Sequence, residues 1–362
     1  MITLFVALTP RLTVLLQTVL PLCPLVLIVL TLVSCARYAE FTLPVLPQSG
    51  ATRFEWMPRE MPVLQPGAPG DWDSHDALNP SVVHRENLYF NLYSGFDGKT
   101  WHTGLATSED GLTWQKQGRV LSPDPKTWEG DYIAANGSAM FAQGEFFYWY
   151  QTGARDGPSI ALARSTDGRT WSKERSAVIS PGPRGSSDER GVGDPDVIRL
   201  DDGWFYMYYL GQDRAWRQRI GLARSRDGIQ WEKLRSSPVL DLGEAGALDE
   251  EGLGEPAVWA AQGSYWMLYT GRDRAENRRL GLGQSRDGVN WKRMPLVISG
   301  NAAWDSKVVC DPSVEVQRDA VRVWFGGGDV ARPDENLHGQ IGVGTLRLIT
   351  APALTGDGTL AK

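Results

Sequence analysis

Short runs of large apolar residues recur along the chain at an almost constant spacing, and most of them are followed by the same turn signature. The signature is Ser-x-Asp-Gly-x-x-Trp, and its aspartates are Asp110, Asp167, Asp227 and Asp287, which gives steps of 57, 60 and 60 residues. An Asp-Gly pair between two β-rich runs favours a tight turn, because glycine accepts a positive φ angle and aspartate can bond its own backbone. The pattern predicts a repeated all-β unit of about four short strands.

Two further elements recur in every unit. Aromatic runs predict a second strand, since bulky residues pack well on a pleated surface, and they begin at Leu88, Phe146, Trp204, Tyr265 and Val321. Before each run, a predicted first strand opens with a short polar triplet that has proline or glycine at its centre. The opening triplets are Asn79-Pro-Ser81, Asn136-Gly-Ser138, Asp194-Pro-Asp196, Glu255-Pro-Ala257 and Asp311-Pro-Ser313, so five units are predicted.

The two ends of the repeat region complement each other. The fifth unit lacks the turn signature and ends near Leu346, whereas residues 54–66 resemble the fourth strand of the first unit. An N-terminal strand that completes the last unit closes a propeller ring and removes exposed sheet edges. We therefore predict an all-β fold, a five-bladed β-propeller over residues 52–350 whose last blade is completed by an N-terminal strand. An open repeat array and a β-sandwich are the alternatives.

The N-terminus predicts export. Residues 1–35 contain no acidic residue, and an apolar run from Leu12 to Val33 precedes Cys35. The small residue before Cys35 resembles the bacterial lipoprotein processing box, in which the cysteine is lipidated; an uncleaved membrane anchor is the alternative, because about twenty apolar residues span a bilayer. The propeller is expected outside the cytoplasm, either secreted or held at the membrane in the periplasm or at the cell surface, by a linker over residues 36–51. Residues 351–362 form a predicted tail.

Composition narrows the function classes. The net charge of −6 argues against nucleic-acid binding as the main activity. Cys23 lies in the export segment and Cys35 at its end, so the mature fold keeps only Cys310; no disulfide is expected within the chain, and no Cys/His zinc spacing occurs. The sequence requires no cofactor or metal, and it leaves the oligomeric state open.

The opening residues are the first candidates for chemistry. First strands line the channel of a propeller, so their N-terminal ends are expected to converge on its axis. A polar ring with three carboxylates is therefore predicted, and crowded like charges raise at least one pKa, which keeps an acid protonated at neutral pH. The alternative is that these side chains only bond local backbone. The predicted ring consists of Asn79, Asn136, Asp194, Glu255 and Asp311.

Loops on the same face carry aromatic and charged residues that suit a sugar. Aromatic rings stack on the apolar face of a pyranose, while charged groups bond its hydroxyls. Together with Asn79 and Asn136, the predicted substrate-binding residues are Trp72, Trp128, Asp131, Arg214, Trp216, Arg272, Trp304 and His338. The expected partner is therefore a carbohydrate.

The openings and turn signatures of residues 52–346 resemble those of the five-bladed propeller glycosidases, the group that contains glycoside hydrolase families 43, 62, 32, 68, 117 and 130. In family 43, a base Asp opens blade 1, a pKa-tuning Asp opens blade 3 and an acid Glu opens blade 4. The resemblance implies that Asp194 is the tuning residue and Glu255 the general acid. Asn79 departs from this pattern in blade 1, so Asp76, just upstream, is a candidate base, as is Asp73.

Family 130 offers a second comparison. It cleaves mannosides mostly by phosphorolysis, and it resembles this chain in having Asn-Pro in blade 1 and a proton-donating Asp-Pro in blade 3. There, inorganic phosphate takes the place of the base. Some family 43 members hold a cation in the channel near a histidine of blade 5, to which His338 is a weak match, so a structural cation stays open.

These observations predict a glycosidase that acts by inverting displacement. Glu255 is expected to protonate the leaving oxygen while a carboxylate of Asp76, Asp194 or Asp311 activates or orients water, which requires the two carboxyl groups to be roughly 6.5–9.5 Å apart. A family 130-like phosphorylase and a carbohydrate-binding propeller without catalysis are the alternatives.

Overall fold

The computed structural model describes residues 38–47, 52–332 and 334–350. The chain divides into two compact units, Met1–Tyr38 and Ala39–Lys362, and only Tyr38 of the first is described. The predicted export segment with Cys35 and the C-terminal tail lie outside the described residues, as does part of the linker. In the described ranges, no helix has the length and apolar character needed to cross a membrane.

All regular structure in the described ranges is β-strand, in agreement with the predicted all-β class. In chain order the strands are β1 (Tyr38–Ala39), β2 (Thr52–Pro58), β3 (Asp76–Arg85), β4 (Leu88–Phe96), β5 (Trp101–Ser108), β6 (Gln115–Leu121), β7 (Ala134–Ala142), β8 (Glu145–Thr152), β9 (Ser159–Ser165), β10 (Ser172–Lys173), β11 (Gly191–Arg199), β12 (Phe205–Gln212), β13 (Gln218–Ser225), β14 (Trp231–Leu234), β15 (Gly252–Ala261), β16 (Ser264–Arg272), β17 (Arg278–Ser285), β18 (Trp291–Ile298), β19 (Val308–Val316), β20 (Ala320–Gly328) and β21 (Gln340–Thr350).

The strands form five antiparallel units that match the predicted repeat. Units 1 to 4 are β3–β6, β7–β10, β11–β14 and β15–β18, each paired in chain order. Unit 5 consists of β19, β20 and β21, and the N-terminal strand β2 pairs with β21 from Thr52 opposite Thr350 to Pro58 opposite Gly344. The predicted completion of the last unit by an N-terminal strand is confirmed.

The Asp-Gly pairs are turn residues, as predicted. In the first unit, Asp110 accepts hydrogen bonds from the backbone amides of Leu112 (2.8 Å) and Thr113 (2.7 Å) through Oδ1. Gly111 follows with a φ angle of 70°, a conformation that a glycine adopts without strain. The other three signatures repeat this geometry, so these aspartates hold the hairpin between the third and fourth strands.

A buried ionic cluster that the sequence pattern did not predict recurs in units 1 to 4. In unit 3, the Lys233 ammonium lies 2.5 Å from Asp188 Oδ2, and the Tyr209 hydroxyl donates to the same oxygen at 3.0 Å. The acid precedes the first strand, the tyrosine lies in the second strand and the cation in the fourth, so one cluster ties three parts of a unit together. The equivalent clusters are Tyr93–Asp73–Lys116, Tyr150–Glu129–Lys173 and Tyr269–Asp249–Arg293.

Unit 5 loses two members of this cluster together. Asp305 keeps the buried acid position. Strand pairing places Phe325 where the other units have tyrosine, and Pro58 of β2 where they have Lys or Arg. Asp305 Oδ1 accepts a hydrogen bond from the backbone amide of Ala302 at 2.8 Å.

Side-chain to backbone hydrogen bonds link neighbouring first strands at four of the five steps between units. The acceptor is the side chain of the third residue in the opening triplet of one unit. The donor is the backbone amide of the residue that follows the opening triplet in the next unit. The bonds are Ser81 to Ala139 (2.7 Å), Ser138 to Val197 (3.0 Å), Asp196 to Val258 (2.8 Å) and, from unit 5 back to unit 1, Ser313 to Val82 (3.1 Å). Ala257 has no side-chain acceptor, so the step from unit 4 to unit 5 lacks this bond.

Replacement of Asp196 by serine is expected to stabilise the protein at neutral and alkaline pH. Burial raises the pKa of Asp196 to about 7, so the folded state holds a proton that the unfolded state loses above pH 4, and stability falls as the pH rises through that window. Serine keeps the bond to Val258 without a carboxyl to ionise. We expect Asp196→Ser to raise the free energy of unfolding by about 2 kcal/mol at pH 8 and to have little effect at pH 4.

Urea unfolding at both pH values measures this difference. Asp201→Ser, in the exposed turn after β11, is the control and should show no comparable pH dependence. An Asp196→Ser effect that is equal at pH 4 and pH 8 would contradict the prediction.

Candidate active site

The five opening residues lie on irregular points of the first strands. The sequence predicted that they start these strands, but β3 already begins at Asp76 and β11 at Gly191, so the openings lie two or three residues further along. At each of them the pairing register between first and second strand shifts. All have positive φ angles: Asn79 48°, Asn136 50°, Asp194 43°, Glu255 49° and Asp311 51°.

This backbone geometry is costly and points to a functional site. A residue other than glycine in the left-handed region costs on the order of 1–3 kcal/mol and persists where the surrounding structure enforces it, commonly at active sites. A β-bulge locally redirects a side chain. The same strained conformation recurs in all five units and places the five polar side chains around a common space.

That space is a narrow channel below a larger cavity. The opening residues and the five residues that follow them line the channel, which has a volume of about 30 Å³. The same five polar side chains also line a cavity of about 500 Å³. The structure thus brings Asp194, Glu255 and Asp311 together with Asn79 and Asn136 where the cavity meets the channel.

Hydrogen bonds divide the ring into two pairs. The Asn136 side-chain amide donates to Asp194 Oδ1 at 3.1 Å and accepts from the Ser94 hydroxyl at 2.9 Å. On the other side, the backbone amide of Asp311 donates to Glu255 Oε2 at 3.2 Å and to the Thr270 hydroxyl at 3.2 Å. Asn136 therefore orients Asp194, and the backbone of Asp311 orients Glu255.

Burial and crowding raise the pKa of Asp194 and of Asp311. Burial, followed by the negative charge of Glu255, raises the pKa of Asp194. The same two causes raise the pKa of Asp311 well above its ordinary value. Asp311 Oδ2 accepts from the Cys310 thiol at 3.0 Å, and Oδ1 is buried without a partner. Protonated carboxyls at neutral pH are what acid catalysis requires.

One cluster has the spacing of a cation site. Glu255, Cys310 and Asp311 each place a donor atom within 4.8 Å of the others. Burial raises the pKa of both the Cys310 thiol and the Asp311 carboxyl, and metal ligation requires deprotonated donors, so these two groups fit a cation poorly. A structural cation in the channel stays a prediction.

Trp216 and Arg272 are the predicted loop residues that line the cavity. The Trp216 ring is 49% exposed and has a φ angle of 66°. Asp213 builds its turn by accepting from the backbone amides of Ala215 (2.8 Å) and Arg217 (3.0 Å). The Arg190 guanidinium lies 3.3 Å from the centre of the indole ring, which holds the aromatic surface in place at the cavity wall.

The other predicted site residues lie elsewhere, and Asp76 is the most informative. Asp76 is fully buried, and its oxygens accept from the backbone amides of Asn336 (2.6 Å) and Gly339 (2.8 Å). It does not belong to the cavity lining, so it positions the loop before β21 rather than substrate or water. Burial raises its pKa.

Trp72 and Trp304 belong to the cores of units 1 and 5. Trp72 packs 5.6 Å from Tyr93 between ring centres, and Trp304 stacks on Phe325 at 5.9 Å. Each indole packs against a glycine of its own unit, Trp72 against Gly95 and Trp304 against Gly327. A Cβ atom at either glycine would lie 2.3 Å from the indole ring. The sequence pattern does not distinguish an aromatic loop residue that faces the cavity from one that packs against the sheet of its own unit.

The remaining four predicted residues also lie outside the cavity lining. Arg214 pairs with Glu189 at 3.0 Å, and His338 lies 2.7 Å from Asp329. Trp128 is partly exposed, and Asp131 is exposed.

Several lining residues were not among the predicted site residues. They are Tyr132, Gln151, Gln212, Gln218, Arg278 and Asp334. The repeat itself carried a signal for two of them, because Asp213–Arg219 and Asp273–Arg279 align as Asp-Arg-Ala followed by three residues and Arg. In this alignment Gln218 and Arg278 are equivalent and begin β13 and β17. The loop that holds Asp334 has no repeat equivalent.

Comparison with known proteins agrees with this architecture. The model for the glycosyl hydrolases family 32 N-terminal domain matches residues 87–238. An uncharacterised protein of Mycobacterium tuberculosis (strain CDC 1551 / Oshkosh) is 28% identical over 232 residues, 59% of this chain and 75% of that protein. The 1,2-beta-oligomannan phosphorylase of Thermoanaerobacter sp. (strain X514) is 26% identical over 139 residues, which are 37% of this chain and 43% of that protein. A solved structure titled "Glycoside hydrolase" superposes with a TM-score of 0.66 at 17% identity, covering 83% of this chain and 95% of the other.

These matches define the class of the protein. The solved structure agrees with the fold, and the family model indicates an enzyme of the glycosyl hydrolase type. The protein is an enzyme of the glycosyl hydrolase type with the fold of the propeller glycosidases, and the resemblance seen in its openings and turns is confirmed.

Proposed function

We propose that the protein is a glycoside hydrolase that cleaves a glycosidic bond of an oligo- or polysaccharide by inverting acid/base displacement. The observation that carries the proposal is the convergence of Asp194, Glu255 and Asp311 at the inner end of a 500 Å³ cavity. A volume of this order is typical of small-molecule sites and accommodates sugar residues.

A closed ring of five blades is part of the proposal. Two contacts support it: β2 completes unit 5, and Ser313 of unit 5 accepts from the backbone amide of Val82 in unit 1. In a closed ring, the first strands surround one axis, which accounts for the shared channel.

Asp194 is assigned the proton donor in this mechanism. Its raised pKa keeps the carboxyl protonated at neutral pH, and the bond from Asn136 fixes its orientation. A protonated carboxyl can donate to the leaving oxygen as the glycosidic bond breaks. The resemblance to family 43 implies Glu255 in this role, whereas the resemblance to family 130 implies the Asp-Pro of blade 3.

Glu255 is assigned the base. Its Oε2 accepts from the Asp311 backbone amide, a bond that suits a carboxylate, and its charge is one cause of the raised pKa of Asp194. The base removes a proton from the attacking water, so the pair ends the step with the proton transferred from Asp194 to the leaving sugar and a second proton on Glu255. Asp311 acts through its backbone by positioning Glu255.

Phosphorolysis is the second candidate function. The match to a 1,2-beta-oligomannan phosphorylase and the arginines in the cavity lining favour it. In that reaction phosphate replaces the activated water, so product would form only when phosphate is present. The third candidate, a carbohydrate-binding propeller, requires binding without turnover.

One experiment separates the three. A panel of aryl glycosides and natural oligosaccharides is incubated with the enzyme, with and without inorganic phosphate, and proton NMR identifies the anomer first released. Phosphate-independent release with inversion supports the proposal. Release that requires phosphate supports the phosphorylase, and retention of configuration contradicts the inverting mechanism.

Replacement of Trp216 by alanine is expected to weaken substrate binding more than catalysis. The indole is an exposed aromatic surface of the cavity wall, and a stacking contact with an aromatic ring is worth roughly 0.5–1.5 kcal/mol. We expect KM for an oligosaccharide substrate to rise about 2- to 10-fold while kcat changes by less than about 2-fold. Trp128→Ala is the control, since Trp128 is also partly exposed but lies outside the lining. Equal effects of the two substitutions would contradict a binding role for Trp216.

A further inference from the structure

Arg278 is a buried cation in the cavity wall. It begins β17 and lines the cavity, and only 8% of its surface is exposed. A guanidinium cannot lose its proton at physiological pH, so a buried one needs an anionic partner. Among the described residues, this guanidinium donates a side-chain hydrogen bond to Asp334 Oδ1.

Asp334 is an unusual partner for a buried charge. It lies in the loop between β20 and β21, and its side chain is 67% exposed. Arg272 approaches the same Oδ1 at 3.5 Å through Nη1 and donates to Gln218 Oε1 at 2.8 Å through Nη2. Two guanidinium groups therefore converge on one solvated carboxylate at the cavity wall.

We infer that Arg278, Arg272 and Gln218 form a subsite for an oxyanion. In the free protein, the Asp334 carboxylate occupies the position that this oxyanion takes when it binds. The inference rests on the proposed function, because it concerns the ligand of the same cavity. The oxyanion is the carboxylate of an acidic sugar, or inorganic phosphate, which offers the same acceptor chemistry to guanidinium groups.

Replacement of the Asp334 carboxylate by a ligand oxyanion leaves the charge of Arg278 neutralised. Arg278 keeps a negative partner throughout, so its buried charge is never uncompensated. Asp334 returns to water at little cost because most of its side chain is already solvated. The remaining lining arginine, Arg155, is held by Glu335 at 2.6 Å, a buried carboxylate that lacks this freedom.

The repeat supplies a tolerated replacement for the test. Gln218 holds the position in unit 3 that Arg278 holds in unit 4, where it begins the equivalent strand. Arg278→Gln therefore places a side chain that this fold already accommodates. Asp334→Asn changes an exposed residue and leaves Arg278 the negative charge of Glu255 nearby, so it should fold even if Arg278→Gln does not.

Binding of three probes to the full-length protein tests the subsite. Isothermal titration is carried out with a methyl uronide, the methyl glycoside of the matching neutral sugar, and inorganic phosphate. We expect at least one anion to bind about 10-fold more tightly than the neutral glycoside, and Arg278→Gln to abolish that preference. Asp334→Asn should tighten anion binding about 3- to 10-fold, because it removes the internal competitor. Arg274→Gln is the control, since Arg274 is 73% exposed and pairs with Glu250 outside the lining.

The direction of the Asp334→Asn effect decides between a ligand subsite and a structural ion pair. A structural pair predicts unchanged or weaker anion binding in Asp334→Asn, and that result would overturn the inference. A preference for the uronide alone assigns the anion to the sugar, and a preference for phosphate alone assigns it to the co-substrate. An anion preference that Arg278→Gln leaves unchanged rejects the subsite without affecting the hydrolase. Anion preference in a protein that cleaves no glycoside rejects the hydrolase instead.

Discussion

Asp194→Asn is expected to lower kcat on an oligosaccharide by about 10³-fold while leaving the fold intact. The protonated carboxyl of Asp194 supplies the proton for the leaving oxygen, and asparagine keeps the shape and the contact with Asn136 without an acidic proton. A leaving group that needs no protonation should escape most of the loss. We therefore expect a reduction of only about 10-fold on a dinitrophenyl glycoside, measured as kcat with both substrates.

Glu255→Gln provides the matched comparison. As a base, Glu255 acts on water, so its loss should lower kcat on both substrates to a similar degree, and added azide should restore part of the rate on the activated glycoside. The reverse pattern, with leaving-group dependence in Glu255→Gln, would assign the acid to Glu255 as the family 43 resemblance implies. Glu251→Gln, at an exposed position near the same strand, should retain full activity.

Lys233→Met is expected to lower the free energy of unfolding by roughly 3–5 kcal/mol, because removal of one partner of a buried ion pair leaves the other charge uncompensated. Lys233 and Asp188 are both buried, with 2.5 Å between Nζ and Oδ2. Methionine keeps most of the aliphatic packing, so the loss reports the charge. Urea unfolding at pH 7 measures the difference.

A second substitution distinguishes charge from packing. In the double variant Lys233→Met with Asp188→Asn, no buried charge is left alone, and we expect at least half of the lost stability to return. Lys126→Met, at an exposed position, is the control and should change stability by less than about 0.5 kcal/mol. A double variant less stable than Lys233→Met alone would show that packing, not charge, dominates.

The residues assigned to substrate binding lie at positions where the sequences of the units differ. Four units share the buried Tyr–acid–cation cluster and the Asp-Gly hairpin, which build the scaffold. The aligned loops of units 3 and 4 differ at Trp216 and Glu276, and again at Gln218 and Arg278. An aromatic wall and an anion-binding wall thus arise from one loop geometry with different side chains.

The sequence alone determined the repeat, its strands and its hairpins. These features depend on residues close together in the chain: the aromatic run of each second strand, the positive φ at Gly111, and the hydrogen bonds that Asp110 accepts from amides two and three residues away. The repeat also identified the opening residues, because the same polar triplet stands at the same place in each unit. The match between β2 and the other fourth strands was likewise visible as a local resemblance.

Only the tertiary structure decided what each loop side chain faces. Asp76 contacts a backbone amide 260 residues away at Asn336, and Tyr132 donates to Glu335 across 203 residues, so neither partner can be read from local pattern. The same reason separates Trp216, which lies on the cavity wall, from Trp72 and Trp304, which fold back onto glycines of their own units. The bulge at each opening residue is also a tertiary outcome, because its strained backbone is stable only within the paired and packed first strands.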